Sequence, residues 1–135
     1  MQDCAFYKIG DKQMGMYTEI YVNADLKENT PKEVLAVLKA ICEKEIGAAV
    51  LEGYPRRWLT LFSSGSRYAP STWATSLTFN DYTGQWYLLG RGDIKNYEGE
   101  IEAFFKFIKP WCDDGLVGYY RYEEDREPTL VYTDE

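Results

Sequence analysis

The sequence of 135 residues contains no histidine. Histidine is the side chain most often used as a general base and as a zinc ligand, so its absence excludes Ser-His and Cys-His catalytic arrangements and histidine-containing zinc sites. Carboxylate, lysine or tyrosine chemistry stays open, but neither a G-x-x-x-x-G-K-[ST] nor a G-x-G-x-x-G phosphate-binding motif is present. We therefore expect a non-enzymatic protein that uses no cofactor and no metal.

Cysteine is scarce, and long apolar runs are missing. The three cysteines, Cys4, Cys42 and Cys112, are odd in number and fit no metal-binding spacing. We interpret them as reduced thiols, which are typical of a cytosolic protein. No apolar run approaches the ~20 residues of a membrane helix, and the first residues lack the basic start and apolar segment of a signal peptide. The expectation is a cytoplasmic protein with no membrane partner.

The acidic charge is concentrated in the last third of the chain. Residues 1–92 contain 10 basic and 10 acidic residues, whereas residues 93–135 contain 5 basic and 12 acidic residues, which is the whole net charge of −7. An acidic surface repels nucleic acid and attracts basic protein surfaces. This predicts a protein partner with a basic surface and no direct nucleic-acid contact. The alternative is that the acidic residues only maintain solubility.

Alternating polar and apolar residues predict an antiparallel sheet. In "QMGMYTEIYVNADLK", Thr18, Ile20, Val22 and Ala24 fall on one face of a half-buried strand. The stretches "RWLTLFS", "TWATSLTF" and "WYLLG" are typical of three further strands, and the links between them are too short for parallel crossovers. "LVGYYRY" and "TLVYT" predict a carboxyl-terminal hairpin or a strand followed by an extended tail.

Two segments have helical periodicity, and the expected buried face of the first is formed by Val34, Leu35, Leu38, Ile41 and Cys42. In "NTPKEVLAVLKAICEKE", Thr30 is the expected N-cap, Pro31 follows at the first helical position, Glu33 completes a capping box, and Gly47 is the expected end. In "YEGEIEAFFKFIKP", the apolar residues recur at i, i+3, i+4 and i+7. These residues are Ile101, Phe104, Phe105 and Ile108.

The order β-α-β-β-β-α-β(-β) predicts one α+β domain over residues 14–135. Two helices are expected to pack on one face of the antiparallel sheet. Residues 1–13 are expected to form an amino-terminal arm or an edge strand.

The stretch "GRGDIKNYEGEIE", residues 90–102, precedes the second helix. Its glycines permit backbone conformations that other residues avoid, and Asn96 is the expected N-cap. We interpret the stretch as the joint where a strand ends and a helix begins. The alternative is an anion-binding loop, but Glu98 and Glu100 already lie at the positive end of the helix dipole.

Basic and aromatic residues suggest a second kind of site, which would bind phosphates and stack on bases. The candidate cations are Arg56, Arg57, Arg67, Arg91 and Lys95. A strand of seven residues would separate Arg57 from Arg67 by roughly 20 Å, which disfavours one shared site. The other interpretation is that these arginines are solvated and flank a strand.

The stretch "YYRYEEDREP" is the main candidate for a partner-binding surface. Tyrosine and arginine are frequent anchors of protein interfaces, and carboxylates supply electrostatic steering. The other interpretation is a charged turn that protects a sheet edge from pairing. The candidate residues are Tyr119, Tyr120, Arg121, Tyr122, Glu123, Glu124, Asp125, Arg126 and Glu127.

Three stretches, "GMYTEIYVNADLKENTPKEVL", "GRGDIKNYEGEIEAFFKFI" and "GYYRYEEDREPTLVY", together resemble small uncharacterised proteins encoded by bacteriophages and prophages. The likeness covers most of the chain from Met14 onward. It implies a location in the host bacterial cytoplasm and assigns no catalytic residues. In size and acidity the chain is also similar to many phage proteins that block host defence.

Four functions remain open. The first is an inhibitor of a bacterial defence system, similar to anti-CRISPR proteins, that binds a host effector through an acidic carboxyl-terminal surface. The second is a sponge that sequesters a cyclic or ADP-ribose-type nucleotide. The third is a small carboxylate-based enzyme, and the fourth is an accessory protein that forms a homodimer and regulates a phage gene.

Overall fold

The computed structural model describes residues 17–63 and 75–134. These residues form β1 Thr18–Asp25, α1 Lys32–Cys42, β2 Ser76–Asn80, β3 Gln85–Ile94, α2 Glu100–Ile108, β4 Leu116–Tyr122 and β5 Thr129–Tyr132. The strands pair antiparallel in one sheet in the order β2-β3-β1-β4-β5, so the predicted α+β class is confirmed. The arm expected at residues 1–13 lies outside the described residues, as do Cys4 and Arg67.

The first strand of the described residues lies at the centre of the sheet. β1 pairs with β3 on one side and with β4 on the other. The predicted alternation is confirmed, because Thr18, Ile20, Val22 and Ala24 are all buried. We call their side of the sheet the inner face, where Ile20 and Val22 join residues of both helices in one apolar core. The opposite side is the outer face.

The two helices bury their apolar stripes against this core. In α2 the four residues predicted from periodicity, Ile101, Phe104, Phe105 and Ile108, are all buried. In α1 the buried residues are Val34, Val37, Leu38, Ala40 and Ile41. The buried face of α1 is therefore rotated about the helix axis relative to the predicted face. Leu35 and Cys42 lie at its margin and are only half-buried.

The predicted ends of α1 are wrong. The Thr30 hydroxyl donates to the Lys27 carbonyl at 2.6 Å, the helix begins after Pro31, and no side chain caps it. At the other end, Lys44 adopts a left-handed conformation with φ 52°. This permits the Glu45 N–H to donate to the Ala40 carbonyl at 3.0 Å. A reversal of this kind commonly uses glycine. For this reason the sequence predicts the end of the helix at Gly47 and not at Lys44.

The strand predicted at "RWLTLFS" is also wrong, because Arg56–Thr60 forms a 3₁₀ helix. Trp58, Leu61 and Phe62 are all buried. Their spacing of i, i+3 and i+4 is the helical signal that the prediction overlooked. The Trp58 indole N–H donates to the Glu100 carbonyl at 2.9 Å, and this bond attaches the segment to α2.

The strand end predicted at Gly90–Gly92 is wrong, since β3 continues to Ile94. Both glycines face segment 61–63, which lies directly on the strand. A Cβ atom added to Gly92 would lie 2.4 Å from the Leu61 carbonyl oxygen, and one added to Gly90 would lie 2.7 Å from the Phe62 ring. Glycine is therefore required for close packing within a strand and not for a turn.

The prediction that Asn96 is the N-cap of α2 is wrong, because Gly99 holds that position without a side-chain bond, but Asn96 still bonds to the first turn. The Asn96 Oδ1 atom accepts from the Ile101 N–H at 2.9 Å, and α2 begins at Glu100 after Gly99 in a left-handed conformation. The side chain of Asn96 thus satisfies a backbone donor that the first turn leaves unpaired.

Candidate functional site at the ends of the sheet

The sheet has two ends with different chemistry. At the end where β1 finishes, four segments meet, which are residues 25–31, 81–84, 112–115 and 133–134. We call these four segments the acidic end. At the end where β1 begins lie Tyr17, residues 95–99 and the β4–β5 turn, residues 123–128. We call this the turn end.

Backbone and side-chain hydrogen bonds hold the segments of the acidic end together. The Asp113 N–H donates to the Asp25 carbonyl at 2.9 Å. The Gln85 amide donates to Asp113 Oδ2 at 2.8 Å and to the Leu26 carbonyl at 3.0 Å. The Gly115 N–H donates to the Thr133 hydroxyl at 2.9 Å. These bonds place the four segments beside one another on a rigid base.

The acidic end carries most of the protein's net charge. Its four segments contain six acidic residues and one basic residue, Lys27, which gives a local charge of −6 + 1 = −5, compared with −7 for the whole chain. All six carboxylates belong to exposed residues, and within the described part of the chain none is within ion-pairing distance of a lysine or arginine. They are Asp25, Glu28, Asp81, Asp113, Asp114 and Asp134.

A tyrosine projects from the acidic end. Tyr82 is fully exposed at the tip of the β2–β3 turn. The turn is well ordered, because the Asn80 side chain accepts from the Tyr82 N–H at 2.9 Å and the Asn80 carbonyl accepts from the Gly84 N–H at 2.8 Å. An exposed aromatic ring on a fixed turn can anchor a protein partner at little cost in side-chain entropy.

The predicted partner residues from Tyr119 to Glu127 do not form one patch. Tyr119 lies on the outer face, where its ring stacks on Tyr21 at 5.2 Å and its hydroxyl donates to Glu19 Oε2 at 3.3 Å. Tyr120 lies on the inner face, 6.0 Å from the Phe105 ring. Successive strand residues point to opposite faces, so Arg121 and Tyr122 are divided in the same way.

Part of the predicted acidic stretch has a structural role at the turn end. Glu123 Oε1 accepts from the Tyr17 N–H at 2.7 Å, and the Arg121 guanidinium donates to the Asp125 carbonyl at 2.7 Å. The exposed residues of the stretch at the tip of the turn are Glu124, Asp125, Arg126 and Glu127. Residues 121–127 contain four acidic and two basic residues, a charge of −2.

Two buried carboxylates near the turn end, those of Glu19 and Glu100, are each paired with an arginine. Glu19 is only 6% exposed, and its Oε2 atom accepts from Arg91 Nη2 at 2.8 Å. Glu100 is 4% exposed, and its Oε2 atom accepts from Arg57 Nη1 at 2.8 Å. Buried carboxylates of this kind require a partner because removal from water is costly. These ion pairs therefore have a structural role in the fold.

The candidate anion-binding cations are dispersed. Arg57 and Lys95 line one small cavity of about 210 Å³, together with Asp93, which is buried. Arg56 lines a different cavity, and Arg91 lies on the outer face beside Glu19. The four described cations are thus not assembled into one phosphate-binding site, and the nucleotide-sponge hypothesis stays a prediction.

The two described cysteine thiols are not activated. Burial raises the pKa of Cys112 to about 12, and the neighbouring Asp113 carboxylate adds to the effect. Burial also raises the pKa of Cys42 to about 12. Both thiols are neutral near pH 7, whereas a nucleophilic cysteine needs a depressed pKa.

Among residues 17–63 and 75–134, no group of three or more acidic or cysteine side chains is arranged to hold a metal ion. No helix in the same ranges has the length and apolar character needed to cross a membrane. Comparisons of the chain with protein-family models, with curated proteins and with solved structures found no match. The phage resemblance therefore stays a prediction.

Proposed function

We propose that the protein acts by binding and not by catalysis, and that its acidic end covers a basic surface of a protein partner. One observation carries this proposal: six exposed carboxylates from four segments give the acidic end a charge of −5, and the exposed ring of Tyr82 lies at one side of them. An unneutralised field of one sign accelerates encounter with an oppositely charged surface. The aromatic ring supplies apolar contact at the β2–β3 side of this charged surface.

The proposed partner is a bacterial defence effector. Effectors that hold nucleic acid have basic channels or recognition surfaces, and a compact acidic surface competes with the phosphate backbone for them. Three of the six carboxylates, those of Asp113, Asp114 and Asp134, belong to the acidic last third of the chain. The other three come from segments that are distant in sequence, so the surface exists only in the folded protein. The protein would then work in the cytoplasm of the infected bacterium.

The test is inhibition of reconstituted RNA-guided nuclease complexes by the purified protein, combined with affinity capture from nuclease-treated bacterial lysate. The doubly substituted variant Asp81→Lys and Asp114→Lys reverses two charges that make no hydrogen bond to other described side chains. We expect this variant to lose the inhibition and to release any captured effector. Raising the salt concentration should weaken the binding of the unsubstituted protein.

The matched control is the variant Glu124→Lys and Glu127→Lys, which makes the same change of charge at the turn end. We expect this control to inhibit as the unsubstituted protein does. Equal loss in the two variants would assign the binding to net charge and not to the acidic end. If no nuclease is inhibited and no effector is captured, the proposal that the partner is a bacterial defence effector is wrong. Gel filtration of the same samples tests the homodimer hypothesis.

A further inference from the structure

A groove lies between α1 and the edge strand β2 and adjoins the acidic end, because Lys32 directly follows residues 25–31. Its volume is about 440 Å³, and apolar side chains form its floor. Leu35 and Ala36 contribute from the helix, and Leu77 and Trp86 from the sheet. The groove exists because the apolar stripe of α1 extends beyond the short strand β2, which leaves Leu35 only half-buried.

Two lysines border the groove. Lys32 and Lys39 are seven residues apart, or about two helical turns, so they lie on the same side of α1. The Lys39 ammonium lies 3.7 Å from Glu43 Oε1. Lys32 makes no hydrogen bond or ion pair to another described side chain. Its position in the first helical turn is also one where the helix dipole disfavours positive charge, so helix stability does not account for it.

A buried hydroxyl without a partner belongs to a residue of the groove wall. Thr75 lines the groove, and its Oγ1 atom is inaccessible to solvent and makes no hydrogen bond. Among the side chains of residues 17–63 and 75–134 it is the only buried polar atom without a hydrogen bond. Buried hydroxyls are nearly always hydrogen-bonded, so a rotation of the Thr75 side chain that exposes this atom to the groove would let a ligand atom complete the bond.

We propose that this groove binds a small amphipathic organic anion. The apolar body would cover Leu35, Leu77 and Trp86, the anionic group would meet the Lys32 ammonium, and a polar atom would bond to Thr75. The volume is within the range of small-molecule sites, which combine mostly apolar walls with a few polar groups. The Cys42 thiol in the wall is neutral. The Glu43 carboxylate also lines the groove but lies 3.7 Å from the Lys39 ammonium, so the anionic group is assigned to Lys32.

The probe is 1-anilinonaphthalene-8-sulfonate, an aromatic anion whose fluorescence rises in apolar surroundings. Its neutral relative N-phenyl-1-naphthylamine has no sulfonate. We expect saturable binding of one anionic probe per chain. The substitution Lys32→Gln should weaken binding of the anion by about fivefold and leave binding of the neutral probe unchanged. Ala36→Phe fills the groove and should abolish binding of both probes.

The control substitution is Lys106→Gln, which removes a lysine from the other helix–edge cavity, between α2 and β5. It should alter neither probe. Equal weakening by Lys32→Gln and Lys106→Gln, or absence of saturable binding, would overturn the proposal. Lys32 is exposed, so its substitution is decisive even if Ala36→Phe does not fold. Displacement of the probe by decanoate would show that the groove accepts an aliphatic anion as well as an aromatic one.

Discussion

Both ends of the sheet are rich in carboxylates, but the carboxylates differ in what surrounds them. At the turn end, Glu19 and Glu100 are buried and each accepts from an arginine. At the acidic end, the carboxylates are exposed and the only basic residue of the four segments is Lys27. Paired buried charges stabilise or specify a fold, whereas exposed charges of one sign act on other molecules. The number of acidic residues in a segment therefore does not identify which of them are available to a partner.

Added volume should cost more where segment 61–63 packs on β3 than in the exposed turn of the acidic end, and this should be the largest effect. Gly92→Ala places a Cβ against the Leu61 carbonyl oxygen, and backbone atoms would have to move. We expect a loss of more than about 3 kcal/mol in the free energy of unfolding, measured by urea denaturation. Gly84→Ala is the control at the acidic end. It has open space but φ 72°, so it should cost only about 1 kcal/mol. Equal losses would contradict the close packing of segment 61–63.

The buried pairs predict the next largest effect. Arg91→Met leaves the buried Glu19 carboxylate without its cation, and we expect a loss of about 2 to 3 kcal/mol because Arg91 is itself partly exposed. Neutralising the carboxylate as well, with Glu19→Gln, should recover part of the loss. The measurement is a double-mutant cycle by denaturant unfolding. Additive losses from the two substitutions would show that the pair is not coupled.

The Cys112 thiol predicts a pH effect at the acidic end. Its pKa is about 12 in the folded protein against 9.0 for an ordinary thiol. Its contribution to stability is therefore complete below about pH 9 and is lost as the pH rises toward 12, because the unfolded chain ionises first. We expect a loss of about 1 kcal/mol for this thiol by pH 10. The stability difference between the unsubstituted protein and Cys112→Ala should shrink by this amount between pH 8 and pH 10, under reducing conditions. A constant difference would contradict the raised pKa.

The smallest effect is expected from the exposed carboxylates themselves. Asp81→Asn and Asp114→Asn each remove one of several like charges, so we expect a gain in stability of a few tenths of a kcal/mol at low salt that disappears at high salt. Glu124→Gln at the turn end should change stability less, because residues 121–127 contain two arginines and carry a smaller net charge than the acidic end. Thermal unfolding at two salt concentrations measures the difference. A loss of stability in either aspartate variant would show that its carboxylate makes a structural contact.

Much of the fold could be predicted from local periodicity. The alternation around Ile20 and the helical stripe through Phe104 depend on neighbours in sequence, and both are confirmed. The features that were predicted wrongly depend on contacts between residues that are distant in sequence. Gly90 and Gly92 look like the end of a strand until segment 61–63 is placed against them. Lys44 adopts a left-handed backbone conformation that its residue type does not predict.

The site was less predictable than the fold, for the same reason. Composition correctly located an excess of acidic residues in the last third of the chain, but β4 carries Asp114 and Glu124 to opposite ends of the sheet. Asp25, Glu28 and Asp81 join the acidic end only through strand order, which the sequence does not specify. Tyr119 and Tyr120 are adjacent in sequence yet lie on different faces, because a strand separates neighbouring side chains.

The central position of β1 has a consequence for the time at which the protein can fold. This strand is made before its two neighbours, β3 and β4, and the hydrogen bond between Tyr17 and Glu123 spans 106 positions. At roughly 5–20 residues per second, a ribosome needs several seconds or more to produce that interval. One edge of this buried strand can pair once β3 is made, whereas the other edge remains unpaired until β4 follows. A nascent chain stalled before β4 should be a target for chaperones, whereas the released protein should not.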